Sequence, residues 1–371
     1  MAGHARVSFS AAQIAEITGG RVFGNAERQV TGVAFVAQGS ANDLVYVNND
    51  RLLKKLSNTA ATVILAPDSL EQQLPRDSQR TFVLVADAEA AFTQMTVQLV
   101  PERPRPEIGI SPDAIVSETA VIGSRTNIHP LAVIRDDVTI GENCDIGAGV
   151  VIGEGCTIGD GVRIDAGCVL YPDVELGDDV ILQANTVVGA CGYGYRTVNG
   201  RHELLPHVGT VRIADDVHVG ACSTIDRAKV GATTIGQGSR IDNMVVIAHN
   251  CRIGQHNLMM SQTGIAGSSS TGDYVVCAGQ AGIADHVHLG DGTIIGAKTG
   301  VHRDMQGGQA YLGIPARDAR LHAREQSSLK HLPDMRSTVK KLQKQVAELQ
   351  VQLAALAEDA GESQMNRKDA A

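Results

Sequence analysis

The sequence predicts a mainly β protein: a left-handed parallel β-helix of hexapeptide repeats, with an α/β domain before it and a coiled-coil-like helix after it. Three observations carry this prediction. Every sixth residue from Ile110 to Val188 is aliphatic, fourteen in succession, beginning Ile110, Val116, Ile122 and Ile128 and ending Leu176, Leu182 and Val188. A helix repeats near 3.6 residues and a strand at two, whereas three short strands closed into a triangular coil turn one side chain inward every six residues. Forty glycines and only 3% aromatic residues suit a solenoid with tight corners and a narrow aliphatic core. Finally, the spacing of apolar residues after Pro315 changes to alternating threes and fours, the seam of a coiled coil.

Residues 1–100 read as a separate α/β domain. Ser10 suits the N-cap of a helix through AAQIAEIT that ends at Gly19-Gly20. VTGVAFVA, DLVYV, ATVILAP and TFVLVAD read as strands, and AEAAFTQMTVQLV as a helix. Residues 101–109 hold three prolines within PERPRP, a stiff linker that delays the first coil until Ile110.

The solenoid is expected over 110–316, with an excursion from Ala190 to Thr210 that leaves the repeat and marks a functional edge. The pattern resumes at Ile213, slips, and returns at Ile235; Thr271 is the sole polar residue in the later series. Residues 317–358 form the helical segment, its seam running Leu332, Met335, Val339, Leu342, Val346, Leu349, Leu353 and Leu356. Such a narrow stripe packs against copies of itself. Valine at a and leucine at d favour two strands, but triangular solenoids packed side by side favour three, so a homotrimer is expected. Residues 359–371 read as a disordered tail.

Composition limits the partners. A net charge of −9 argues against nucleic acid or an anionic membrane surface, and few aromatics remain to stack bases. The first twenty residues lack the apolar core of a signal peptide, and no apolar run could span a bilayer, so a cytoplasmic protein is expected. Seven cysteines without a CxxC pair read as buried side chains in a reducing compartment.

Eighteen residues make one coil, rising about 4.8 Å. His249 lies at a corner just past Ile247, with Gly267 one coil on and Asp285, next to His286, two coils on. A histidine base, a glycine N–H and a second histidine stacked within about 10 Å suit acyl transfer. A lone corner histidine is otherwise a surface residue. His288 shares a strand face with His286, so one of them is structural in that reading. His202 and His207 have a spacing that metals use, but no third ligand is evident, and no metal is expected.

The segments TIDR (224–227), IDN (241–243), IAHN (247–250), GYGYR (192–196), LLPHVGTVRI (204–213) and GIPAR (313–317) resemble the UDP-3-O-acylglucosamine N-acyltransferases of lipid A synthesis, along nearly the whole chain. The resemblance implies transfer of a 3-hydroxyacyl chain from acyl carrier protein to the 2-amino group of a UDP-linked 3-O-acylglucosamine, without a further cofactor. It implies His249 as general base, the Gly267 N–H as oxyanion donor, and His286 as a sugar contact or a tuner of the base. Asp242 and Asn243 would line the cleft. Tyr46 and Asn49 would bind uracil, although Leu52 stands where the family has a tyrosine. Arg303 would meet the phosphopantetheine arm, with Arg317, Arg320, Arg324 and Lys330 nearby to attract an acidic carrier. Gly300 replaces a bulky residue three positions before Arg303 and so would leave the acyl channel open. Val301 points into the core, and His302 could close the gap instead.

Competing readings are another hexapeptide acyltransferase, such as a UDP-N-acetylglucosamine O-acyltransferase or a small-donor acetyltransferase; a γ-type carbonic anhydrase; and a non-catalytic trimeric scaffold. The separate N-terminal domain disfavours the first. The carbonic anhydrase needs a close histidine pair within the coils. The IAHN corner and its stacked glycine disfavour the scaffold.

Overall fold

The computed structural model describes residues 7–75, 79–101 and 107–368, with side chains as far as residue 354. The chain divides into two compact units, Met1–Pro106 and Glu107–Ala371. The proline-rich segment lies largely outside the described residues.

In the first unit, the helix Ala11–Thr18 starts at Ser10 through a reciprocal cap. The Gln13 N–H donates to Ser10 Oγ at 3.2 Å, and the Ser10 N–H donates to Gln13 Oε1 at 2.8 Å. The helix ends at Gly19, whose φ of 65° is easiest for glycine. A five-stranded sheet runs in the order Arg21–Phe23, Thr81–Val85, Val63–Pro67, Asp43–Tyr46, Gly32–Val33, antiparallel only at the first pair. The near-continuous apolar runs VILAP and TFVLV are its central strands, covered on both faces. One expected strand is corrected. VTGVAFVA splits: Val30 pairs with Phe9 in a separate ribbon, Gly32–Val33 joins the sheet edge, and the chain turns at Phe35, where the Gln38 N–H donates to the Phe35 carbonyl.

The second unit is the β-helix. Its two-residue strands stack in parallel on three faces, and within each strand the second residue points inward. The first face runs from Asn127–Ile128 to Ile294–Ile295 and is closed by Ala310–Leu312 and Arg317–Asp318. The second runs from Ile115–Val116 to Gly300–Val301, and the third from Val121–Ile122 to His288–Leu289. Register follows the eighteen-residue rule, as in Ile134 beside Ile152 beside Leu170. Ile128 to Leu182 form an unbroken buried core, whereas Ile110, at the open end, is 51% exposed.

The corners have a period of their own. Positive φ recurs at Arg125, Leu131, Asp137, Asn143, Gly149, Gly155, Gly161, Gly167, Asp173, Asp179 and Asn185, one left-handed residue per hexad. This explains the abundance of Gly, Asn and Asp, which occupy that region most cheaply. Cys144, Cys156 and Cys168 are buried, and burial pushes the Cys156 and Cys168 thiols up to about 11. Thr271 is tolerated inside because Oγ1 accepts from Asn257 Nδ2 at 2.7 Å, and Asn257 is itself fully buried.

The slip in the repeat is local. Thr224 pairs with Val246 and Ile213 with Ile235, four residues beyond the usual separation, because the corner Arg227–Gly231 is enlarged. After the solenoid come two helices, Ala319–Leu329 and Leu332–Lys368. The second continues through the segment expected to be a disordered tail, because the polar sequence after Leu356 contains no proline and one glycine to stop it. Its seam residues Met335, Val339, Leu342, Val346 and Leu349 are all more than half exposed in the single chain.

Gly153 and Gly149 separate two uses of glycine. A Cβ at Gly153 would lie 2.6 Å from Pro172 N and 2.8 Å from Tyr171 C, whereas at Gly149 it meets nothing within 4 Å. Gly153→Ala should therefore cost about 1–3 kcal/mol in denaturant unfolding. Gly149→Asn, a residue that other corners already hold at positive φ, should stay within about 0.5 kcal/mol. Equal losses would mean that conformation, rather than stacking distance, sets the corner sequence.

Candidate active site

The corner after the second face differs from the corner after the third. At the corner after the third face, an aspartate one coil further on accepts the backbone N–H of the residue before it. Asp160 accepts from Glu142 at 2.7 Å, Asp178 from Asp160 at 2.8 Å, and Asp273 from Gln255 at 2.7 Å. At the corner after the second face, the stacked residues are His249 and Gly267, and Gly267 has no side chain to accept. Among the described residues, neither the His249 N–H nor the Gly267 N–H donates to a protein acceptor. The Gly267 backbone is thus left with a donor free for a ligand beside an imidazole.

Asn250 sets the orientation of that imidazole. Its Oδ1 accepts the Lys229 N–H at 2.8 Å, and its Nδ2 donates to the Val230 carbonyl at 3.0 Å, which ties two coils together. The same Oδ1 lies 3.2 Å from His249 Nδ1. An oxygen can only accept, so Nδ1 carries the hydrogen and Nε2 keeps its lone pair. Nε2 faces Gly267, where a Cβ would stand 2.6 Å from both Nε2 and Cε1. Glycine is required here because the ring occupies the space.

The excursion reaches this corner. It begins after the strand Val187–Ala190, two coils before His249 on the same edge. A hairpin, Tyr195–Val198 with Arg201–Leu204, turns at Asn199-Gly200, both at positive φ. The chain then returns through His207, buried at 8% exposure, with ring centroids 5.0 Å from His249 in an edge-to-face arrangement. Burial holds the His207 imidazole below the usual histidine range, with the Leu205 carbonyl opposing and His249 and Lys229 adding to the effect. His202 points elsewhere, its Nδ1 3.1 Å from Thr197 Oγ1, so the spacing that suggested a metal pair does not bring the two histidines together.

Asp226 was not singled out in the sequence beyond its place in TIDR. Burial pushes its carboxyl up to about 6, and the nearby His249 pulls it back. The titratable groups at this corner thus include a half-buried acid as well as two imidazoles.

His286 sits at the left-handed position, with a φ of 58°, aligned with Asn250 and Ser268 rather than with His249. Its N–H donates to the Gly267 carbonyl at 3.1 Å, and its side chain is exposed. The residue in register with His249 and Gly267 is Asp285. Asp242 and Asn243 occupy the corner after the first face, at the opposite edge of the second face. Asp242 accepts from Ser261 Oγ, which holds it below the usual carboxylate range together with the Asn243 and Ser261 N–H groups at 2.7 and 3.0 Å. Asn243 Oδ1 accepts the Ala221 N–H at 2.7 Å. Within one chain, these two and His249 belong to separate corners.

Arg303 and His302 are exposed. A Cβ at Gly300 would meet Ile314 Cγ2 at 3.4 Å and Cγ1 at 3.6 Å, ordinary contact distances. Arg317 is paired with Glu325 at 2.9 Å, so its charge is largely answered within the chain.

In the first unit, Tyr46 packs on Phe92 with centroids 4.9 Å apart. Asn49 caps the short helix Asp50–Leu53 by accepting the Leu52 N–H at 3.0 Å, and Leu52 packs partly against the core beneath the sheet. A cavity of about 390 Å3 lies nearby, lined by Val33, Ala34, Phe35, Gln38, Phe92 and Thr96.

Comparison with known proteins agrees with this anatomy. Residues 27–97 match the family profile described as UDP-3-O-(3-hydroxymyristoyl) glucosamine N-acyltransferase. Residues 119–154 and 155–190 match the bacterial transferase hexapeptide profile. A UDP-3-O-acylglucosamine N-acyltransferase of Protochlamydia amoebophila is 44% identical over 93% of this chain and 98% of its own length. Those of Gloeobacter violaceus and Desulfotalea psychrophila are 40% and 43% identical, over 94% and 92% of this chain and 98% of each relative. Among solved structures, an Arabidopsis UDP-N-acetylglucosamine acyltransferase aligns with a TM-score of 0.51 at 23% identity, covering 59% of this chain and 76% of that one; this is a likeness of fold.

Gly267→Ala should displace the imidazole while leaving the coils intact. Turnover should fall at least tenfold, since misplacement by about 1 Å is this costly, with a melting temperature within about 2 °C of the wild type. Unchanged turnover would show that the His249–Gly267 approach has no part in the chemistry.

Proposed function

The chain belongs to the family of UDP-3-O-acylglucosamine N-acyltransferases of lipid A synthesis, and we propose that His249 is its general base and a 3-hydroxyacyl carrier protein its acyl donor. The observation that carries this is the bare Nε2 of His249 beside the Gly267 backbone, with Nδ1 fixed by Asn250. The 2-amino group of the nucleotide sugar attacks the thioester carbonyl and gives its proton to Nε2. The carbonyl oxygen becomes an oxyanion that the Gly267 N–H stabilises. Collapse breaks the C–S bond, and the imidazolium returns the proton to the departing thiolate. An amide is formed and a thiol released, so the transfer needs no cofactor.

Tyr46 and Asn49 are assigned to the uracil end of the substrate, and His286 to the sugar or to tuning the base. Arg303 is assigned to the carrier's phosphate, with Arg320, Arg324 and Lys330 attracting an acidic carrier. In this chain Ile314, covering Gly300, is the candidate for the end of the acyl channel.

The active form is a homotrimer in this reading. The outward residues of the second face are Val133, Val151, Val169 and Val187, an apolar strip that supports packing between copies. Beyond Thr224 the face continues as Val246, Gly264, Gly282 and Gly300, and a Cβ at Gly264 or Gly282 would meet nothing. That bare stretch suits an acyl chain lying between subunits. A ring of three would bring the Asp242–Asn243 edge of one copy towards the His249 edge of the next, which reconciles two corners that a single chain keeps apart.

Incubation with UDP-3-O-acylglucosamine and 3-hydroxyacyl carrier protein should yield the diacylated product. His249→Ala should lower turnover at least about a hundredfold with little change in melting temperature. Near-normal turnover would remove His249 from the mechanism.

Deletion of residues 329–371 should leave the solenoid folded, since each coil is held by its neighbours, but make the assembly dissociate more readily on dilution. A full-length monomer in light scattering would refute the trimer.

A further inference from the structure

The mechanism above leaves one buried imidazole unused, that of His207. We propose that His207, delivered by the 190–210 excursion, is a positioning residue that holds the ring of His249 in place, an inference that rests on the acyl-transfer reading.

One burial and three contacts carry the argument. His207 is 8% exposed although it belongs to an excursion whose hairpin strands are largely exposed, so the return segment is tucked in against the solenoid. Its ring meets that of His249 edge to face at 5.0 Å. Its Nδ1 lies 3.0 Å from the Leu205 carbonyl, which can only accept, so Nδ1 carries the hydrogen. Cys191 Sγ also lies 3.6 Å from Nδ1, on the outgoing limb of the same excursion.

The two glycines of GYGYR complete the clamp. A Cβ at Gly192 would stand 2.8 Å from His249 Cβ and 3.0 Å from its Cδ2, and 3.2 Å from His207 Nε2. A Cβ at Gly194 would stand 2.6 Å from His207 Cε1 and 3.3 Å from Nε2. The outgoing limb therefore lies flush against both imidazoles, and any larger residue at 192 would strike both rings. Nδ1 is given to the Leu205 carbonyl, and Nε2 lies on the side of the two glycines. His207 acts on His249 by contact. Asn250 fixes the tautomer of His249 from one side, while His207 and Gly192 restrict its rotation from the other.

The test compares the full-length wild type with His207→Ala and His207→Gln. His207→Ala should lower kcat about tenfold, as loss of orientation does, with KM for the nucleotide sugar changed less than twofold and the melting temperature preserved. His207→Gln should recover most of the loss, because its amide N–H can still donate to Leu205 and its bulk still touches His249. A second measurement needs no turnover: the rate at which diethyl pyrocarbonate modifies the tryptic segment Ile241–Arg252, whose one histidine is His249. That rate should rise several-fold in His207→Ala and stay near the wild-type value in His207→Gln. Wild-type kcat and an unchanged modification rate in His207→Ala would overturn the proposal, as would a glutamine variant no better than alanine. A wild-type enzyme inactive with these substrates would instead refute the assigned reaction, and the modification rates would still decide whether His207 restrains His249.

Discussion

Everything in the second unit depends on one constraint: parallel strands must stay in register with the coil above and the coil below. Each coil buries few side chains, so it is stable only when its inward Ile, Leu or Val lands on the next. The same constraint that builds the core also aligns the corners, and residues eighteen apart become spatial neighbours whatever their chemistry. His249 and Gly267 meet for the same reason that Ile247 and Ile265 do.

Register also explains how chemistry is introduced without disturbing the fold. At the corner after the third face, a ladder of aspartates uses up the backbone donors. Where His249 stands, glycine replaces the acceptor, so a donor and a lone pair are left side by side. The substitution costs little because corner side chains lie outside the core, yet it converts a structural turn into a place where a negative charge can be stabilised. Insertions obey the same logic. Both the long excursion and the enlarged corner Arg227–Gly231 sit on this one edge, and both touch the site, through Gly192 and His207 in the first case and through Lys229 and Val230 in the second.

The departures from regularity therefore concentrate at one corner. Asn250 occupies a left-handed corner position that recurs throughout the solenoid, but here its amide bridges an enlarged corner and meets a histidine. The second face turns Val133, Val151, Val169 and Val187 outward at one end and Gly264, Gly282 and Gly300 at the other.

The sequence by itself determined the β-helix, its extent, the α/β domain before it and the pairing of His249 with Gly267, because a period of six and a register of eighteen are arithmetic on the chain. It also set the excursion apart from the repeat. The partner of His207 could not be read from it: an irregular loop has no period, and its position depends on which surface buries its imidazole. The sequence spacing suggested His202, and the fold chose His249. The alignment of His286 with Asn250 and the place of Asp242 and Asn243 on another corner follow from the same arithmetic. The approach of Ile314 to Gly300 was decided in three dimensions, because it depends on where a returning segment lies, which a linear repeat leaves unspecified. The helix through Lys368 shows the opposite limit, since a polar composition indicated disorder where the backbone had nothing to interrupt its hydrogen bonds.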